Sequence, residues 1–110
     1  MIEQTVLEYL NATLNVPAYM EMPESQPDRF VLIEKTGSSV EDYVYSATLA
    51  LQSYAESLYE ASALNEEVKR AMDDIIALDT VSRSHLNTDY NFTDTTKKKY
   101  RYQAVYDLVY

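Results

Sequence analysis

The sequence predicts an α+β fold in which a mainly antiparallel sheet packs against helices within one domain, residues 1–110. Three observations lead to this prediction. The chain has 110 residues, of which 46% are apolar, and that size and composition suit one compact domain. Two segments repeat apolar residues at helical spacing, and the rest of the chain holds runs with the period of two typical of strands. The predicted element order is α-β-β-β-α-β-β.

The N-terminal segment predicts an amphipathic helix followed by a short strand. Ile2, Val6 and Leu10 recur at helical spacing, so we expect a helix over residues 2–13. Residues 16–20, with the sequence VPAYM, then predict a short strand. Its proline suits a strand start or a sheet edge, where a missing N–H does not interrupt a ladder.

The next segment predicts two long strands joined by a turn. Residues 29–35 are rich in branched and aromatic side chains, and residues 42–54 alternate in character, which is typical of strands. The sequence Thr-Gly-Ser-Ser at residues 36–39 is interpreted as the turn between them. So short a connection predicts an antiparallel hairpin. The alanines of residues 42–54 leave a helix there as the alternative.

The second half of the chain begins with the strongest helix pattern. Ser57 and Glu60 form a capping box, in which each side chain accepts from a backbone donor of the first helical turn. We expect a helix over residues 57–78. Its apolar stripe consists of Ala61, Leu64, Val68, Met72, Ile75 and Leu78.

Two further strands complete the predicted sheet. Leu86, Tyr90 and Phe92 are evenly spaced and suggest a mostly solvent-facing strand within residues 81–93. Residues 94–99 then form a polar turn. Residues 100–110 alternate to the end of the sequence, with tyrosine at every second position except 104 and 108, which predicts a final strand.

Composition argues against several classes of function. The net charge is −9, which disfavours a surface that clamps nucleic-acid phosphates. Cysteine is absent, so disulfides, thiolate zinc sites and cysteine nucleophiles are excluded. The single glycine, Gly37, cannot form a glycine-rich phosphate-binding loop. The sequence therefore predicts neither a nucleotide-binding fold nor a bound cofactor.

No catalytic or metal-binding constellation is evident in the sequence. His85 is the only histidine and has no partner at a recognised metal or catalytic spacing. The adjacent carboxylates Glu66-Glu67 and Asp73-Asp74 point in different directions on a helix, which favours a solvated helix face. No serine sits in a Gly-x-Ser-x-Gly or Ser-x-x-Lys motif. We therefore expect no enzymatic activity and no metal site.

The sequence contains neither a secretion signal nor a membrane span. Glu3 and Glu8 interrupt the N-terminal apolar pattern, and no basic segment precedes it. No apolar run approaches the roughly 20 residues that a membrane helix needs. These features predict a soluble intracellular protein that does not interact with membranes.

The chain has eleven tyrosines and no tryptophan. Tyrosine is common at protein contacts because it joins a large ring to a polar hydroxyl. Aromatic residues also favour strands. We interpret most of the tyrosines as sheet residues.

Basic residues are concentrated near the C-terminus. Residues 91–110 hold four of the nine basic residues, and these form one cluster: Lys97, Lys98, Lys99 and Arg101. The cluster is the candidate protein-interaction site, where it would dock an acidic neighbouring subunit. Two alternatives are DNA contact and a solubilising hairpin tip whose lysines keep a strand edge from pairing.

Two stretches resemble a family of small tail-module proteins of tailed bacteriophages and prophages of Gram-positive bacteria. They are VPAYMEMPESQPDRFVLIEKTG and SHLNTDYNFTDTTKKKYRYQAVYDLVY, and the aromatic ending is the most characteristic part. Size and element order are similar to tail terminators and head-tail joining proteins of long-tailed phages. The resemblance implies a tail-terminator-like domain that assembles into a ring, as a hexamer in that family. It assigns no catalytic residue.

The resemblance implies a structural role in virion assembly. The ring would cap the tail tube, bind the tail-tube protein on one face and the head-closure or connector protein on the other, and let DNA pass without specific binding. The protein would be assembled in the cytoplasm of the bacterial host and reside in the virion tail or neck. The alternatives are another phage neck or minor tail protein, a small host-directed regulatory binding module, and, less favoured by the residues, a small hydrolase.

Overall fold

A computed structural model describes residues 1–96 and 99–110 of the chain. It confirms the α+β class, the single compact domain and the element order α-β-β-β-α-β-β. The elements are α1 (Ile2–Thr13), β1 (Ala18–Tyr19), β2 (Phe30–Glu41), β3 (Val44–Ala55), α2 (Leu58–Asp74), a 3₁₀ turn (Ile75–Ala77), β4 (Arg83–Asn91) and β5 (Tyr100–Val109).

The five strands form one sheet in the order β1-β2-β3-β5-β4. β1 runs parallel to β2, and every other neighbouring pair is antiparallel. The sheet is therefore mainly antiparallel, as predicted, and the hairpin of β2 and β3 is confirmed in place of the helical alternative. Seven of the eleven tyrosines lie in strands, which confirms their interpretation as sheet residues: Tyr19, Tyr45, Tyr54, Tyr90, Tyr100, Tyr102 and Tyr106.

Helix α1 has the predicted bounds, residues 2–13. Ile2, Val6 and Leu10 are buried, as their spacing requires for one face of a helix against the core. The hydroxyl of Tyr9 donates to the backbone carbonyl of Ala71 at 2.6 Å. This bond fastens α1 to α2.

Helix α2 begins as predicted and ends earlier. The backbone N–H of Glu60 donates to Oγ of Ser57 at 3.1 Å, so Ser57 is the N-cap. The α-helix ends at Asp74 rather than at residue 78, because the backbone then tightens into a 3₁₀ turn in which Leu78 N–H donates to Ile75 C=O. Ile75 is still fully buried, so the apolar stripe continues beyond the α-helix.

The core lies between the helices and one face of the sheet. The Tyr106 hydroxyl reaches α2, where it lies 3.1 Å from both the Lys69 carbonyl oxygen and an Asp73 carboxylate oxygen. Tyr106 therefore faces the helices, together with its cross-strand partner Leu49. Leu51 and Leu108 alternate onto the same face, and all four side chains are fully buried. The opposite face of the sheet is called the back face below.

The turn of the β2–β3 hairpin does not lie at residues 36–39, and that prediction is wrong. β2 continues through this segment to Glu41, and residues Asp42 and Tyr43 make the turn. Both turn residues have positive φ, 50° and 66°, as a two-residue type I′ hairpin turn requires. Glycine and serine indicated a turn. Here they lie in an exposed part of β2, and a strand that is exposed on both faces does not need alternating apolar residues.

The longer strands produce a projecting hairpin. Every residue from 34 to 45 is exposed, and the molecule measures 44 × 25 × 24 Å along its principal axes. The part of the hairpin beyond Ile33 therefore contributes little to the core and extends the sheet into solvent.

Candidate assembly surface

Arg101, one member of the predicted basic cluster, is held by contacts within the chain. Its guanidinium lies 4.3 Å from the centre of the Phe92 ring and 5.5 Å from that of Tyr54. Nε donates to the Phe92 carbonyl at 2.8 Å, and Nη1 donates to the Tyr54 hydroxyl at 2.9 Å. The side chain therefore joins the end of β4 to β3, and its charge is partly shielded from an approaching partner.

Of the three lysines in the cluster, the structure describes Lys99. Lys99 is half-buried, and its ammonium donates to the side-chain amide oxygen of Gln26 in the loop before β2. Lys97 and Lys98 lie outside the described residues. The structure thus brings Lys99 and Arg101 together near Tyr54, where both contact residues of their own chain.

A wide depression of about 510 Å³ lies beside Lys99. Its lining is formed by Gln26, Pro27, Asp28, Phe30, Tyr54, Ala55, Glu56 and Lys99. The pKa of Glu56 is raised by its hydrogen bond with Asp28 and by the like charge of that carboxylate. Both carboxyl groups are exposed, whereas catalytic carboxyl pairs are usually desolvated. The geometry favours a recessed contact surface over a reaction centre.

The back face of the sheet carries a ladder of polar side chains. Gln52 Nε2 donates to Gln103 Oε1 at 2.8 Å, and Gln103 Nε2 donates to the Tyr90 hydroxyl at 2.6 Å. The Tyr54 hydroxyl donates to Gln52 Oε1 at 3.2 Å, and the Tyr54 ring stacks on Phe30 with centroids 4.7 Å apart. Such a satisfied network rigidifies the centre of the sheet.

His85 is exposed on β4, opposite Asp107 of β5. The Asp107 carboxylate accepts from Thr48 Oγ1 at 2.8 Å and from Asn87 Nδ2 at 3.0 Å. These donors, with a smaller contribution from the nearby imidazole, lower the pKa of Asp107. Within residues 1–96 and 99–110, no three His, Asp or Glu side chains are grouped to hold a metal ion.

The acidic pairs of α2 point to separate partners. Glu66 forms an ion pair with Lys69 at 3.0 Å, and the same ammonium contacts Asp89 of β4 at 3.0 Å. These two carboxylates raise the pKa of Lys69. Asp73 contacts the Tyr106 hydroxyl, and burial is the main reason that the pKa of Tyr106 is raised. Lys69 and Asp73 therefore connect α2 to the sheet, whereas Glu66 pairs within the helix.

The tip of the β2–β3 hairpin exposes several large apolar side chains. Tyr43 is 94% exposed, Val40 60%, and Val44 and Tyr45 50% each. Val40 is the cross-strand partner of Tyr45, whose ring lies 6.1 Å from that of Tyr110. Val40 of β2, Tyr45 of β3 and Tyr110, which directly follows β5, thus form a row. Exposed apolar surface on a projecting element is typical of protein contacts.

Both lateral edges of the sheet are long. β1 pairs with β2 only at Val31 and Leu32, so among the described residues no strand pairs with the outer side of β2 over residues 33–41. This segment is called the β2 edge. β4 (Arg83–Asn91) is the last strand at the other side of the sheet, and its outer side is called the β4 edge. Such edges present backbone N–H and C=O groups that can pair with another chain.

No protein-family model matches the chain, and no curated protein matches it. Over the described part of the chain, neither α1 nor α2 combines the length and apolar character needed to cross a membrane.

The sequence pointed to the basic cluster and did not identify the hairpin tip. Exposed Val40 and Tyr45 have the same residue types as core strand positions, so only the location of the turn distinguishes them.

Proposed function

We propose that the chain is a structural protein of a tailed phage or prophage, and that it forms the ring that caps the tail tube and joins tail to head. The observation that carries this proposal is the pair of long sheet edges at opposite sides of one rigid domain. A subunit with different contact surfaces on its two sides can associate head to tail, and such contacts form a ring when the rotation between neighbours closes. The resemblance of the sequence to tail-module proteins is the second support.

The hairpin tip supplies a further contact in this proposal. It extends apolar side chains away from the core, where they reach a neighbouring subunit or the end of the tube. The ring acts stoichiometrically: one face binds the last layer of tail-tube protein and prevents further addition, and the other receives the connector of the filled head. The protein would reside in the virion neck after assembly in the host cytoplasm.

The charge of the chain is compatible with passage of DNA through such a ring. At −9 per subunit, a ring is strongly acidic, and an acidic lumen repels phosphates rather than retaining them. The proposal therefore includes DNA transit without specific binding, and it requires no enzymatic activity or cofactor.

The test is polymerisation of purified tail-tube protein with and without this chain, with tube lengths measured by electron microscopy. We expect shorter, capped tubes carrying a ring at one end. Light scattering of the chain over a wide concentration range gives its own assembly state. A strict monomer that leaves tube length unchanged contradicts the proposal and favours the regulatory binding module.

A matched pair of variants makes the test specific to the hairpin tip. Tyr43→Ser removes a side chain that is 94% exposed at the tip, and Tyr59→Ser removes one that is 82% exposed on α2. Both variants should fold. We expect Tyr43→Ser to lengthen the tubes and Tyr59→Ser to behave as the parent chain. Equal behaviour of the two variants would remove the tip from the proposed contact.

A further inference from the structure

The β2 edge and the β4 edge match each other in length. The β2 edge spans residues 33–41, and β4 has 9 residues. Over the described ranges, the only strand beside the outer side of β2 is the short β1, whose last residue, Tyr19, pairs with Leu32. A strand added next to the β2 edge would therefore continue the line of β1 without displacing it.

The strand directions allow the sheet to continue from one copy to the next. β2, β3, β5 and β4 alternate in direction across the sheet, so β4 runs opposite to β2. When two copies stand side by side with their strands in the same orientation, β4 of one lies antiparallel to β2 of the other. Antiparallel pairing makes well-aligned hydrogen bonds between edges.

We infer that the β2 edge pairs antiparallel with the β4 edge of a second copy of this chain, with Arg83 opposite Glu41. This inference rests on the proposed function, because it names the contact that joins neighbouring subunits of the ring. The partner is a second copy since the two edges are complementary in length, direction and charge.

The first complementary pair is Arg83 with Glu41. Arg83 is the cross-strand partner of Val109, and Glu41 that of Val44, which places both charged side chains on the back face by the alternation of the strands. Both are exposed. In the inferred register, opposite charges therefore meet on the same side of the joined sheet.

The second complementary pair is Asp89 with Lys35. Lys35 contacts Glu3 of α1 at 3.4 Å, and Asp89 contacts Lys69 of α2 at 3.0 Å. Both side chains therefore lie on the helix face of the sheet. Six residues separate Arg83 from Asp89 and also Lys35 from Glu41, so one register aligns both pairs. The contact would join the two existing ion pairs into one network.

The irregular positions of the two edges lie next to each other in the inferred register. The ladder between β2 and β3 shifts between Lys35 and Gly37, and that between β5 and β4 shifts between Leu86 and Thr88. In the inferred register Gly37 lies opposite Asn87, which occupies the second shift. A Cβ added to Gly37 would meet no described atom within 4 Å, so packing among the described residues does not require glycine there. The inferred contact would bring a neighbouring backbone to this position, and glycine in a strand often marks such an approach.

Disulfide trapping tests the inferred register, because the parent chain has no cysteine. Ser39 lies opposite His85 in this register, and both are exposed. A Ser39→Cys protein mixed with a His85→Cys protein should form a covalent dimer on oxidation, while each variant alone should not. The double variant should give a ladder of higher oligomers. The matched control is Ser38→Cys with His85→Cys, whose side chains lie on opposite faces and should cross-link at least about tenfold less.

The outcomes separate this inference from the proposed function. Dimers formed by Ser39→Cys alone would indicate that β2 pairs with β2 of the second copy, which overturns the inference. Such pairing would also oppose the head-to-tail contact that the proposed ring requires. A sample that light scattering shows to be a ring, with no cross-link in the mixture, overturns the inference and leaves the proposed function standing. A monomeric sample without cross-links contradicts both.

Charge exchange gives a second measurement that does not depend on thiol chemistry. Arg83→Glu and Glu41→Lys should each weaken self-association by about fivefold, a usual effect for one exposed charge pair. The double variant restores opposite charges in every contact and should return to within about twofold of the parent. Additive weakening in the double variant would overturn the register.

Discussion

The central carbon of the Arg101 guanidinium lies 4.3 Å from the centre of the Phe92 ring, and its Nε donates to the carbonyl of the same residue. One side chain thus binds both the ring and the backbone of a residue at the end of β4. Phe92 itself is 42% exposed, so Arg101 covers part of an aromatic surface. The arginine acts as an internal clamp at the base of the β4–β5 connection.

We expect Arg101→Ala to lower the free energy of unfolding by about 2 kcal/mol, because two hydrogen bonds from a charged donor and a cation–π contact are lost together. Arg101→Lys should recover less than half of this, since an ammonium cannot reproduce the planar fork. Urea denaturation is the measurement, with Arg70→Ala on the exposed side of α2 as the control. Equal effects for positions 101 and 70 would contradict the clamp.

The assembly role predicted for Lys97, Lys98 and Lys99 can be tested by charge reversal. Replacement of all three by glutamate should leave the chain folded, with a melting temperature lowered by about 4–8 °C because the hydrogen bond from Lys99 to Gln26 is lost. Charge reversal should block joining of tails to heads, since repulsion replaces attraction to an acidic partner. A tail-completion assay on the folded variant is the measurement. Normal joining would assign the lysines to solubility alone.

Val68 tests the packing of α2 on the sheet. The side chain is fully buried, and Val68→Asp would place an unpaired carboxylate among apolar groups at a cost of more than about 3 kcal/mol. We expect loss of cooperative thermal unfolding by circular dichroism. Glu67→Gln, one residue earlier and only half-buried, should change stability by less than about 0.5 kcal/mol. An unchanged melting curve for Val68→Asp would refute the packing.

Asp107 gives a prediction about pH. Its pKa is lowered in the folded chain by the Asn87 and Thr48 donors. Its ionised form therefore adds stability that is fully present above the unfolded-state pKa of about 3.9 and is lost as the pH falls through the lower folded-state pKa. We expect Asp107→Asn to cost about 1 kcal/mol at pH 7 and less near pH 2.

The measurement is urea denaturation at both pH values in a His85→Asn background, which removes the nearby imidazole that contributes to the lowered pKa of Asp107. A parallel Thr48→Val variant removes one donor and should show the same pH trend. A difference between parent and Asp107→Asn that is as large near pH 2 as at pH 7 would be inconsistent with this account.

The sequence predicted those elements whose residues follow one period from end to end. In α2, Ala61, Leu64, Val68 and Met72 are buried on one face, and Ser57 caps the helix, all from local pattern and local hydrogen bonding. The alternation of residues 100–110 similarly predicted the final strand, and the structure buries Tyr106 on one of its faces. Local periodicity succeeded there because burial on one side of an element decides its conformation.

The hairpin turn was missed because its residues carry weak local signals. Gly37 and its serine neighbours have the chemistry of a turn, yet the strand continues through them, and an aspartate and a tyrosine take the left-handed backbone instead. Cross-strand pairing along the whole length of β3 overrides the local preference. The register of β2 and β3 depends on eleven paired positions. A short window of sequence does not show which residues of the two strands pair.

The candidate surface was only partly predictable for a related reason. Lys99 and Arg101 were identified as a basic cluster from sequence adjacency, but Gln26, Tyr54 and Phe92, which contact them, are distant in the chain. The fold turns an apparent surface charge into an internal contact. The sheet edges could not be predicted without the strand order, which follows from chain topology rather than from composition.

In the proposed ring, the turn at Asp42 and Tyr43 lowers the stability of the isolated subunit while providing a contact to a neighbour. A left-handed backbone costs a residue with a Cβ about 1 kcal/mol relative to glycine, and Tyr43, at 94% exposure, recovers almost none of that within its own subunit. Tyr43→Gly should therefore raise the melting temperature of the isolated chain while weakening its self-association. A screen for thermostable variants would select this change first, and it would enrich subunits that survive heating and fail to assemble.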